Sequence, residues 1–189
     1  MKSAAAWLVL AAAPAWAQVA KPVAASSLKL SPTLGPRITP QTFTELERRF
    51  DSTLYGLNPK DPLDLLGTSR ALYLRDYGLV LTAEVSLVAT PPTIFRKEIG
   101  KEETARIHQR KLAQLPALKH AMREMIKVSA LTLSGAVGVP QYETSSLQVV
   151  LAVKLLYLSW EDTDGLPGQI LMQASLKDAI AGEIREEQQ

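Results

Sequence analysis

The sequence predicts an α+β fold: a four-stranded antiparallel sheet made of two β-hairpins, separated by a long or proline-kinked helix, with the helices packed on one face. Three observations carry this expectation. Two stretches with strand-like patterning are each joined by turn residues to a second strand, and helical apolar spacing precedes, separates and follows them. The chain has no cysteine, so packing rather than disulfides must hold the domain together. With 189 residues, 47% of them hydrophobic, the chain is of a size for one such domain once its N-terminal segments are set aside.

Those N-terminal segments differ in character from the rest. Lys2 supplies a positive start, residues 4–13 are apolar around Trp7, Leu8 and Leu10, and Pro14 precedes Ala15-Trp16-Ala17. This is the pattern of a cleavable secretory signal peptide over residues 1–17, with small side chains at Ala15 and Ala17 and the cut between Ala17 and Gln18. The apolar run is about half of the roughly 20 residues that span a bilayer. A lipid anchor of the lipoprotein type would need a cysteine. Residues 18–40 are rich in Pro, Ala and Ser, and prolines 22, 32, 36 and 40 argue for an extended segment. A single α+β domain is expected over residues 41–184 and a charged tail over 185–189. The reading is therefore of an exported protein, periplasmic or extracellular, that does not span the membrane after cleavage.

Within the domain, Thr42 and Glu45 have capping-box spacing, and Phe43, Leu46, Phe50, Leu54 and Leu57 recur with helical period. Gly56 to Pro59 stops this first helix. Residues 70–74 form a strand, residues 75–78 a connection whose Gly78 tolerates a positive φ, and residues 79–88 a second strand. In that second strand Leu79, Leu81, Val85 and Leu87 alternate against Thr82, Glu84 and Ser86. Pro91 and Pro92 end it. Residues 102–115 read as helix with acidic residues at the start; Pro116 kinks or restarts it, and the apolar stripe continues to Leu133 before Gly135. Residues 147–160 are apolar on both faces except at Gln148, Lys154 and Ser159, as in a central strand. Asp164-Gly165 marks a turn, residues 169–175 return, and residues 176–184 form a short helix.

Catalytic patterns are scarce. A cysteine nucleophile is excluded, and the two histidines, His108 and His120, lie in helical segments with no nucleophile-elbow serine in the chain. No cofactor fingerprint is present, and no metal-ligand spacing: the acidic run Glu161 to Gly165 fails the EF-hand frame, which would place Trp160 and Leu171 at ligand positions. The Ser134-to-Gly138 stretch follows a helix and lacks a P-loop ending.

Two features remain as candidate sites. Arg106, Arg110 and Lys111 precede Pro116, and Lys119, Arg123 and Lys127 follow it at i, i+4 and i+8. The stripe Arg106, Arg110, Lys119, Arg123 and Lys127 could hold an anionic cell-wall or lipid surface or an acidic envelope protein. Glu84 and Lys154, polar residues on apolar strands, could form a cross-strand pair or a shallow site. Without Lys2 the chain is near neutral, and it lacks interleaved aromatics, which argues against nucleic acid. The leading expectation is a non-catalytic binding or scaffolding domain of the cell envelope. The alternative is an extracytoplasmic hydrolase relying on Glu84, Asp162 and Asp164.

Overall fold

The first helix, α1 (Pro40–Tyr55), begins two residues before its expected capping box. Thr39 is the N-cap, its hydroxyl accepting from the Thr42 amide at 3.4 Å, and Pro40 occupies the first turn, where its missing N–H costs nothing. Leu46, Phe50 and Leu54 form its buried stripe. The computed structural model describes residues 38–89, 99–137 and 146–189. The signal-peptide reading with Ala17 and Gln18, the proline pair at 91–92 and the Gly138 end of the glycine-bearing connector lie outside them.

After α1 the order is β1 (Asp64–Leu65), β2 (Arg70–Leu74), β3 (Gly78–Ser86), α2 (Lys101–Val137), β4 (Gln148–Leu155), β5 (Gln169–Ser175), α3 (Leu176–Ala181) and β6 (Arg185–Gln188). The fold is α+β, with three helices and one mixed six-stranded sheet among the described residues. β3, β4, β5 and β6 follow one another across the sheet, and β1 and β2 share the outer edge of β3.

Both expected hairpins are present, but the four strands are not wholly antiparallel. β3 and β4 run parallel, from Gly78 opposite Gln148 to Val85 opposite Leu155. The physical reason is the connection. Parallel neighbours need a crossover, and the 37-residue α2 supplies one. At about 1.5 Å per residue it is roughly 55 Å long, whereas the eight residues of β4 span about 26 Å. The helix is thus long enough to carry the chain back to the end of the sheet where β3 began. It runs unbroken through Pro116 and Gly135.

β1 and β6 were not expected as strands. β1 is only two residues long. Residues 185–188, expected as a charged tail, pair antiparallel with β5. The third helix ends earlier than expected because Gly182, at φ 86°, forms a left-handed cap whose amide donates to the Ala179 carbonyl.

The core lies between the helices and one face of the sheet. Leu79, Leu81 and Val85 of β3, Val149, Leu151 and Val153 of β4, and Ile170 and Met172 of β5 are buried there. They meet Leu46, Phe50 and Leu54 of α1 and Leu118, Met122, Ile126 and Leu133 of α2. Gly78 fixes the start of the parallel pair. Its φ is 132°, and a Cβ at this position would come within 1.9 Å of the Gln148 carbonyl oxygen.

Candidate functional site

Alternation along the strands sends one set of side chains to the helices and the other to a second face, which no helix covers among the described residues. On this open face Leu72 stands in register with Val80, Val80 with Val150, and Val150 with Gln173. Arg70, Thr82, Ala152, Leu171 and Glu187 form the next row. Leu72 is 58% and Leu74 42% exposed. The second row borders a shallow groove of about 530 Å³ lined in part by its own Arg70 and Thr82 together with Leu66, Glu84, Lys154 and Gln169.

Glu84 and Lys154 are register partners across the parallel pair, with Lys154 Nζ 3.9 Å from Glu84 Oε1. Both side chains are more than half exposed, so water screens the pair and its contribution to stability is small. It lines the groove as an accessible mixed-charge feature. Arg70, one strand away, adds a second cation.

The basic stripe has a different fate. Arg110 donates through Nε to Asp61 Oδ2 at 2.8 Å and through a second nitrogen to Oδ1, a two-pronged bond that also holds the Asp61 carboxyl below its ordinary range. Lys119 and Arg123 converge on Glu186 of β6, at 3.0 and 2.5 Å, and Lys127 pairs with Glu124 at 2.8 Å. Four of the five stripe cations are therefore paired with this chain's own carboxylates, Lys119 and Arg123 sharing one. Arg106 is exposed on the first half of α2.

The same half of α2 carries a feature that sequence reasoning missed. Lys111, grouped by sequence with the basic residues, is buried and ion-paired with Glu161, whose side chain is also buried. The Lys111 ammonium sits 4.9 Å from the centre of the Tyr157 ring, a cation–π arrangement. The Tyr157 hydroxyl donates to the Pro167 carbonyl at 2.7 Å, and burial together with the Glu161 charge pushes its pKa up to about 12. A ring nitrogen of His108 lies 3.0 Å from the Asp162 carbonyl oxygen, and Gln114 donates to the Asp61 carbonyl at 2.5 Å. These contacts fasten the α1–β1 and β4–β5 loops to the helix. A signal was present in the sequence: Lys111 lies four residues from both Ile107 and Leu115, on the buried line of α2.

The carboxylates considered for hydrolysis do not gather. Glu84 is on the open face, whereas the loop bearing Asp162 and Asp164 is fastened to α2 on the other side. Asp162 uses one carboxylate oxygen to accept from the Asp164 amide at 3.0 Å, a turn-forming bond. Among the described residues no group of three or more His, Asp or Glu could hold a metal ion, and no helix is long and apolar enough to cross a membrane.

Fold and site together define a class: a one-sided α+β sheet domain with helices on one face and a grooved, partly apolar face on the other. The chain matches no protein family, no curated protein and no solved structure.

Proposed function

We propose that this chain is an exported, non-catalytic binding or scaffolding domain of the cell envelope, and that it engages a protein partner through the open face of its sheet. The observation that carries this reading is the pairing of exposed Leu72 and Leu74 with the adjoining groove of Arg70, Glu84 and Lys154. An apolar strip rimmed by charges of both signs suits a protein surface, because burying the leucines drives association and the rim selects orientation. An anionic polymer or lipid surface is the weaker match, since the α2 cations are already engaged within the chain.

The test is site-specific photo-cross-linking of the protein in its native envelope. A cross-linker at Leu72 is expected to capture one defined partner, and one at Arg106 on the helix side is not. Leu74→Glu should abolish the Leu72 cross-link while circular dichroism stays unchanged. Equal capture from both positions, or from neither, would refute the proposed face. Export has its own check: N-terminal sequencing of the extracytoplasmic protein should begin at Gln18, and an intact Met1 would refute cleavage.

A further inference from the structure

We infer that β6 is a docking edge for a second copy of this chain, joining two sheets into one across a two-fold axis at Glu186. The two outer edges of the sheet differ. At the β2 edge, Glu47 and Asp51 of α1 accept from the backbone amides of Ala71 and Ser69 at 2.8 and 2.9 Å, so these two outward donors are already satisfied. At the β6 edge, no strand pairs with the outer side among the described residues.

The register of β6 decides which groups face outward. Gln189 exchanges both backbone bonds with Gln169. In an antiparallel ladder the bonding direction alternates residue by residue, so Glu187 and Arg185 bond inward to β5, and the amides and carbonyls of Glu186 and Gln188 point away from it. An antiparallel copy must place outward-facing residues opposite one another. Centred on Glu186, this puts Glu186 opposite Glu186 of the partner subunit, Gln188 opposite the partner's Ile184, and Arg185 opposite the partner's Glu187.

Charge selects this register. Arg185 and Glu187 share the open face and pair with each other at 2.7 Å within one chain, so the two-fold sets each beside its opposite charge across the seam and extends two such pairs into one alternating four-charge cluster. The central pair of glutamates lies on the helix side, where each is held by its own Lys119 and Arg123. A centre at Glu187 would oppose two glutamates on the open face, and a centre at Arg185 would oppose two arginines. Charged residues on an edge strand ordinarily discourage pairing; here they favour one register with an identical strand. The contact is short, so the dimer is a weak one that depends on concentration. It would set two open faces side by side in a single continuous surface.

Sedimentation velocity on the protein recovered from an exporting host, from about 10 µM to about 1 mM, tests the inference. A rise in sedimentation coefficient with concentration is expected. Arg185→Glu should weaken association at least tenfold, and the charge swap R185E/E187R should restore it. Gln188→Pro should abolish it with the circular dichroism intact, because the backbone donor that the proline removes faces outward; Gln188→Ala, which loses only the side-chain bond to Glu186, should leave association in place. A monomer at every concentration would overturn the proposal and leave the edge to a foreign strand. So would a dimer indifferent to both Arg185→Glu and Gln188→Pro.

Discussion

The ionisable groups of this domain act mainly by where they are held. Asp61 is lowered chiefly by the Arg110 hydrogen bond, so it contributes stability above its ordinary value of 3.8 and loses it as the pH falls through its depressed folded value. Tyr157 behaves oppositely. With a folded pKa of about 12 against an ordinary 10, it leaves stability untouched below pH 10, and stability then falls as the pH rises from about 10 to 12, because the unfolded chain ionises first. Urea denaturation across that window should give a declining midpoint, and Tyr157→Phe should flatten the part due to this residue. The same variant should be less stable at neutral pH by about 1–3 kcal/mol, since the Pro167 carbonyl loses its donor. An unchanged alkaline slope in Tyr157→Phe would show that another group carries it.

At the scale of elements, α1 does more than cover the core. Glu47 and Asp51, one turn apart, cap the edge of β2 from outside, and without them the Ala71 and Ser69 amides would be left partly buried with no acceptor. Glu47→Ala should therefore destabilise the domain by about 1–3 kcal/mol, and Glu47→Gln should recover most of that because its amide oxygen still accepts. Thermal unfolding of the three proteins checks the order. These roles could not be read from the sequence, where Glu47 lies off the apolar stripe like any solvated residue. Local patterns did reveal α1, the β2–β3 and β4–β5 hairpins and the span of α2, because each depends on neighbours a few residues apart. The parallel pairing of β3 with β4 depends on where a long crossover delivers the chain, which no local period encodes. β6 was missed for another reason: Arg185-Glu186-Glu187-Gln188 has no apolar alternation, since its helix-side residue Glu186 meets cations rather than the core. Glu84 and Lys154 were found as a pair because both interrupt apolar strands.

At the scale of the whole molecule, the buried Lys111–Glu161 pair ties the crossover helix to the loop between β4 and β5, fifty residues away in sequence. Its energetic meaning follows from burial. Desolvating two charges offsets much of their attraction, so such a pair contributes little net stability while the loss of one partner is severe. Lys111→Met would strand the Glu161 carboxylate, one of whose oxygens is already without a partner, and remove the cation from the Tyr157 ring. The expected cost is about 3–5 kcal/mol, a large fraction of the stability of a domain of this size. Replacing both residues in K111M/E161L removes the charges together, and that variant should recover most of the loss. Chemical denaturation of the wild type, the single and the double variant separates the cases. Recovery in the double variant marks the pair as a device for placing the loop, whereas a double variant as unstable as the single one would mean that the ionic contact itself holds the helix and the loop together. Hydrogen exchange in residues 156–168 locates the effect: exchange should rise in Lys111→Met while the amides of β3 and β4 stay protected.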